Sequence, residues 1–243
     1  MVSQLPIGQC DSVELTNVKS ISYYGWGDGM DVFSSSNVIL DGVFCRNSDD
    51  CAAVYASTQG FKGGSNNVLV KNATLWADVA HPINIGGHGD PNGMDTVQNV
   101  TFRNIDILDQ AEKQIDYQGC LAINPGDNTL VRNITFENIR IEDFRNGQLV
   151  NFRISFNPKY CVSTGRGIQN VLVKDVTYNG SGENLSIIAG YDENHKIFGI
   201  RFVNLVVNGR KITDDMPGKP KWYKTGDMAG IFVGEHVENI SFE

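Results

Sequence analysis

Four residues of this chain invite chemistry. Asp28 lies in Gly25-Trp-Gly-Asp-Gly-Met-Asp31, Asp49 and Asp50 in Asn47-Ser-Asp-Asp-Cys51, and His81 in Ala80-His-Pro82. Each stands just ahead of a short, strand-like stretch. Carboxylates brought together repel one another, and their pKa values are driven apart. Cleavage of a glycosidic bond needs such a divided set. One acid stays protonated to donate to the leaving oxygen, and another stays ionised as base. An isolated Asp-Asp pair is usually a solvated turn. A third aspartate and a histidine at matching positions turn the balance toward a site.

Asp28 and Asp49 are 21 positions apart and Asp50 and His81 are 31 apart, so a fold must superpose them. A repeated phrase supplies one. Asn, apolar, any, apolar, any, Asn or a small polar residue, apolar occurs as Asn37-Val-Ile-Leu-Asp-Gly-Val43, Asn67-Val-Leu-Val-Lys-Asn-Ala73 and Asn99-Val-Thr-Phe-Arg-Asn-Ile105. It returns as Asn133-Ile-Thr-Phe-Glu-Asn-Ile139 and Asn170-Val-Leu-Val-Lys-Asp-Val176, with looser copies starting at Ser12, Gly199 and Asn239. The alternation is that of a strand with one buried face. Every period holds a second short strand: Met30–Phe33, Ala52–Tyr55, Pro82–Ile85, Leu121–Asn124, Asn151–Ile154, Leu185–Ile188 and Ile231–Val233. No connector has a helical apolar period. Strand-only repeats of uneven length predict an all-β fold, a right-handed parallel β-helix of about seven coils over residues 1–243. The recurring asparagines suit corners, since Asn tolerates left-handed backbone and bonds to its counterpart in the next coil.

Stacked coils repeat every ~4.8 Å. Asp28, the Asp49–Asp50 pair and His81 then fall on three adjacent coils at one phase, within one or two spacings. Tyr24 and Trp26 flank this cluster and Tyr55 follows it, as candidate platforms for sugar rings. Asp116 and Gln118, at the same phase one coil on, are candidates for a further subsite.

Here the residues resemble a known family. Gly27-Asp-Gly-Met-Asp-Val32 is similar to the Asn-Thr-Asp-Gly-Ile-Asp-Val motif of glycoside hydrolase family 28, the polygalacturonases. Ser48-Asp-Asp-Cys-Ala-Ala53 resembles its Gly-Asp-Asp-Cys-Ile-Ala, and His81-Pro-Ile-Asn-Ile-Gly-Gly87 its Gly-His-Gly-Ile-Ser-Ile-Gly. The layout also resembles family 49, the dextranases and isopullulanases. Both families are β-helical and invert the anomeric centre. The resemblance implies Asp49 as general acid, with Asp28 and Asp50 holding and deprotonating the water, and Asp49 and Asp50 exchangeable. It implies no metal and no other cofactor, His81 in substrate binding, and carboxyls about 6.5–9.5 Å apart.

Two departures bear on the substrate. The family's Arg-Ile-Lys motif, whose cations hold the galacturonate carboxylate, has its nearest match in Arg153-Ile-Ser155, one coil late and without the lysine. Arg153 either binds substrate or pairs with an acid. The missing lysine and the formal net charge of −8 both point to a neutral poly- or oligosaccharide. Acidic character also excludes most nucleic-acid binding. Gly86-Gly-His-Gly-Asp90, with His88, lacks the strand–loop–helix setting of a phosphate cradle.

Hydrophobic residues make up 41% of the chain, which excludes disorder across most of it. No apolar run reaches the ~18–20 residues of a membrane span. Met1-Val-Ser-Gln-Leu-Pro carries no basic stretch before an apolar one. The protein is therefore secreted or periplasmic if a leader lies ahead of this sequence, and cytoplasmic otherwise. Five cysteines without a CxxC pair read as buried thiols. The Asn-x-Ser/Thr sequons read as by-products of the repeat. Both ends break off abruptly, as in a fragment of a longer β-helix or a homo-oligomer that covers its ends. Two other functions compete with hydrolysis. One is a non-catalytic or truncated carbohydrate-binding module. The other is a polysaccharide lyase, in which the aspartates would hold Ca²⁺.

Overall fold

A computed structural model describes residues 2–182 and 184–243. The repeated phrase forms one face. Strands Ser65–Ala77, Thr96–Gln110, Leu130–Ile141, Gly167–Tyr178 and Ile197–Val207 lie side by side in parallel. In the first two coils the same phrase is split at Asn17 and at Gly42, which have left-handed φ of 57° and 66°. The pieces are Asp11–Thr16 with Lys19–Ile21, and Ser36–Asp41 with Phe44–Asn47. The short strands form the second, eight-stranded sheet: Val2–Gly8, Gly27–Phe33, Ala52–Tyr55, Ile83–Ile85, Leu121–Ile123, Val150–Arg153, Ser186–Ala189 and Ile231–Val233. All seven expected short strands are present. The first of the eight was not foreseen. Nor was the hairpin through Asn208-Gly209, which folds Arg210–Ile212 back antiparallel onto Ile197–Val207 and has the dipeptide such turns prefer.

Register explains the core. Val68, Val100, Ile134, Val171 and Ile200 superpose from coil to coil, as do Val70, Phe102, Phe136, Val173 and Phe202. All are buried. Phe102, Phe136 and Phe152 stack inside the coil at centroid distances of 5.9 and 6.0 Å. Each coil leaves its apolar face to be covered by its neighbours, so the stack is the core.

The corners are built as the asparagines suggest. Asn67, Asn72, Asn99, Asn104, Asn133, Asn138 and Asn170 all have φ between 53° and 57°, a region that Asn enters at low cost. Their amides form ladders along the stack. Asn67 donates to Asn37 (2.6 Å), Asn133 to Asn99 and Asn170 to Asn133 (both 3.2 Å). A second ladder runs from Asn138 to Asn104, Asn72 and Asp41. The first ladder steps sideways once, where Asn99 donates to Asn66 rather than Asn67. The five cysteines are free thiols, four of them buried.

Candidate active site

The site forms on the outer side of the short-strand sheet. Backbone bonds fix its phase: Gly29 N–H donates to Asp50 O (2.7 Å) and Cys51 N–H to His81 O (2.9 Å). Asp28, Asp50 and His81 are thereby consecutive rungs. Gly29 is required there, because a Cβ would fall 2.1 Å from the carbonyl oxygen of Cys51 in the next coil. Asp49 projects from the same turn as Asp50, and its Oδ1 accepts from the Asp50 N–H (3.1 Å).

One carboxylate oxygen from each of Asp28, Asp49 and Asp50 lies within 4.8 Å of the others. That agrees with the one or two interstrand spacings expected from stacking and is closer than the about 6.5–9.5 Å that the family resemblance implies for an inverting pair. The crowding follows from the parallel register, which places neighbouring rungs one interstrand spacing apart.

The three acids differ in state. Asp28 is 1% exposed, and one of its oxygens is buried without a hydrogen-bond partner. Burial, with repulsion from Asp31, Asp50 and Asp49, raises its pKa to about 9. Burial and the charge of Asp50 raise Asp49 to about 7. For Asp50, burial pushes upward but is outweighed by His81 and by hydrogen bonds from Asn84 and Tyr55, which hold it at about 2. His81 Nδ1 donates to Asp50 Oδ1 (2.8 Å). The cluster is therefore one fixed anion beside two proton holders. Three converging oxygens suggest a cation site. Asp50, however, already accepts four donors, so any further ligand there has to displace one of them.

Asp49, Asp50 and His81 line a cleft of about 760 Å³, whose walls include Trp26, His88, Tyr117, Arg153, Lys159 and Tyr160. Asp28 sits behind the lining. Trp26 is exposed at the rim in left-handed conformation (φ 61°). Arg153 is paired: its Nη1 donates to Asp116 Oδ1 (2.8 Å). Both residues line the cleft.

Other sequence expectations need correction. Tyr24 is solvent-exposed, packs edge-on against Tyr23 and is not part of the cleft lining. Gln118 is fully buried, and its amide bonds Glu112 O and Asn146 Oδ1. It ties loops together beneath the surface. Tyr55 lines the cleft but is 1% exposed and donates to Asp50, so its ring is no open platform. The case for a neutral substrate rests on a missing lysine and on the net charge of −8, and a lysine is present at the cleft. Lys159, on the loop after Arg153, lines the same cleft and lies over the rings of Tyr160 (4.8 Å) and Tyr117 (5.8 Å). Among the described residues it forms no ion pair. No sequence signal marks Lys159 or its aromatic seat, because Lys159 and Tyr160 lie in a loop and Tyr117 in a single 3-10 turn, all outside the repeat. Asn84, which also contacts Asp50, lies in Pro82-Ile-Asn-Ile85, where its sequence position marks it only as a strand residue.

Residues 4–216 match the sequence model of the glycosyl hydrolases of family 28. The chain belongs to that family. This family-28 chain is 29% identical over 164 residues to a probable endo-xylogalacturonan hydrolase A of Neosartorya fischeri, covering 67% of this chain and 38% of that protein. It is 27% identical over 178 residues to a polygalacturonase of Juniperus ashei, covering 72% of this chain and 31% of that one. The solved structure of a family 28 exopolygalacturonase of Yersinia enterocolitica superposes with a TM-score of 0.67 at 14% identity, over 98% of this chain and 43% of that one. This family-28 chain spans less than half the length of these relatives, and the last of them supports the shared fold alone.

Proposed function

We propose that this chain hydrolyses O-glycosidic bonds of an acidic polysaccharide, with inversion at the anomeric carbon. The observation that carries the reading is the convergence of three carboxyl groups, Asp49 and Asp50 in the cleft lining and Asp28 directly behind them, each in a different electrostatic state. Asp49 is the acid. It faces the cleft, and its proton is retained up to near-neutral pH, so it can protonate the departing glycosidic oxygen. Asp50, ionised, stabilises the positive charge that grows at the anomeric carbon. It takes the proton of the attacking water, which displaces one of its four donors. Asp28 keeps its proton behind them and limits the negative charge of the cluster. Inversion follows from the family resemblance, since the carboxylate spacing alone does not assign it.

Family membership and relatives named for galacturonan and xylogalacturonan support a uronic acid polymer. Arg153 and Lys159 support the same reading. Arg153 is neutralised in part by Asp116, whereas Lys159 is held by aromatic faces with its charge available. Replacing Lys159 by Ala is expected to raise KM for a polyuronate about tenfold with little change in kcat, and to leave a neutral glycan unaffected. The same KM effect on both substrates would remove Lys159 from carboxylate recognition.

The direct test of the reading is a digest of a glycan panel with the anomer of the first product followed by NMR. New reducing ends of inverted configuration are expected from a polygalacturonate-type substrate. Retained configuration would overturn the mechanism. An unsaturated sugar product that disappears with chelator would replace it with a lyase.

A further inference from the structure

Asp50 is 5% exposed beside two other acids, a position that favours the neutral form of a carboxyl group. Its surroundings do the opposite. Oδ1 accepts from the backbone N–H (3.0 Å) and Nδ1 (2.8 Å) of His81. Oδ2 accepts from the Tyr55 hydroxyl (2.7 Å) and the Asn84 amide (2.6 Å). Four donors fill the four lone-pair sites of an ionised carboxylate.

Tyr55 and Asn84 reach Oδ2 because of where they sit. Ala53 pairs with Asn84 across the sheet, and Tyr55 lies two residues after Ala53, so all three side chains share the outer face. The Tyr55 ring is fixed by packing that does not depend on its hydroxyl. Phe33 stacks on it (5.8 Å, 16° between planes), Phe61 stacks on Phe33 (5.9 Å), and His88 meets the Tyr55 ring edge-on (5.2 Å). Asn84 Nδ2 also lies 3.2 Å from the Tyr55 oxygen, so the two donors brace each other.

We propose that Tyr55 and Asn84 are positioning residues that keep Asp50 ionised and aimed, so that Asp50 is always the anion of the cluster and Asp49 always the proton donor. This rests on the hydrolase reading. Other charges also bear on Asp50. Asp28 faces it from the preceding coil, Asp49 from its own turn and His81 from the next coil, with Cys51 and His88 in electrostatic reach. Glu112 acts on Asp49. Removing one hydroxyl leaves all of these in place.

The test is Tyr55→Phe, which keeps the packed ring and deletes one donor to a charged acceptor. The loss of that bond is expected to move the acid limb of kcat/KM upward by about one pH unit. A second deletion, Asn84→Ala, should move it further. Activity at pH 3 relative to pH 5 then falls several-fold, roughly, while the basic limb and KM stay in place. A merely structural role would lower activity equally at every pH and leave the limb unmoved, and that result would overturn the proposal. A second readout needs no catalysis. With ¹³C-labelled aspartate carboxyls, and Asp50 assigned by the signal lost in Asp50→Asn, the Asp50 signal of the wild type should stay ionised through pH 4. It should titrate about one unit higher in Tyr55→Phe. An unmoved signal would also overturn the proposal. If the wild type cleaves no glycan, the hydrolase reading fails, and the carboxyl titration still decides the role of Tyr55 and Asn84.

Discussion

Asp49→Asn is expected to lower kcat on a polymeric substrate by about 10²–10⁴-fold, the range that a positioned general acid contributes. KM should change little, because Asn keeps the shape and most of the hydrogen bonding. The argument depends on the proton. Burial and Asp50 raise the Asp49 pKa to about 7, so the acid form is present below that pH and is lost as pH rises through it. The wild-type rate should therefore decline above about pH 7, and the Asn variant should show no such limb. A glycoside whose leaving group needs no protonation, such as a nitrophenolate, should lose much less. Equal losses on both substrates would take the acid role away from Asp49. Full activity in the variant would remove Asp49 from the site altogether.

The largest effect on stability is expected from Phe136→Ala. Phe136 is fully buried and lies between Phe102 and Phe152, at 5.9 and 6.0 Å. Truncating a buried Phe costs about 3–5 kcal/mol, from lost transfer energy and from the cavity left behind. The rungs above and below are held by their own strands, so the hole has little means of collapsing. Urea or thermal unfolding measures it, and a loss below ~1 kcal/mol would mean that the coil relaxes. The three acids belong to earlier coils. Folded Phe136→Ala protein should therefore keep the wild-type pH profile.

The fold was legible because a parallel coil writes itself into the sequence as a phrase. Val68, Val100, Ile134, Val171 and Ile200 occupy the same place in successive copies, and register superposes them. The phase of Asp28, Asp50 and His81 followed from the same rule. What the phrase cannot encode is the path of the loops. Lys159, Tyr117 and Tyr160 come together from two connectors, in different coils, that carry no periodicity. Tyr24 and Gln118 have the right phase but the wrong exposure, one turned to solvent and the other sealed beneath the surface. Tyr55 and Asn84 had the right position, but their partner was hidden. A donor to Asp50 looks in the sequence like any outward residue of a strand. The close approach of the three acids was legible from the rise between rungs, and it is the wider separation implied by the family resemblance that the structure does not show.

The asparagine ladders have a consequence for how such a molecule can change. Along much of the stack a corner is tied to its neighbours through side-chain amides, which adds to the register that the strand pairing sets. The loops over the cleft can then be lengthened, shortened or grafted from another scaffold while the spine keeps its pitch. Cleft shape and architecture are separable in this arrangement: the loops set the first, and the stacked corners help to hold the second.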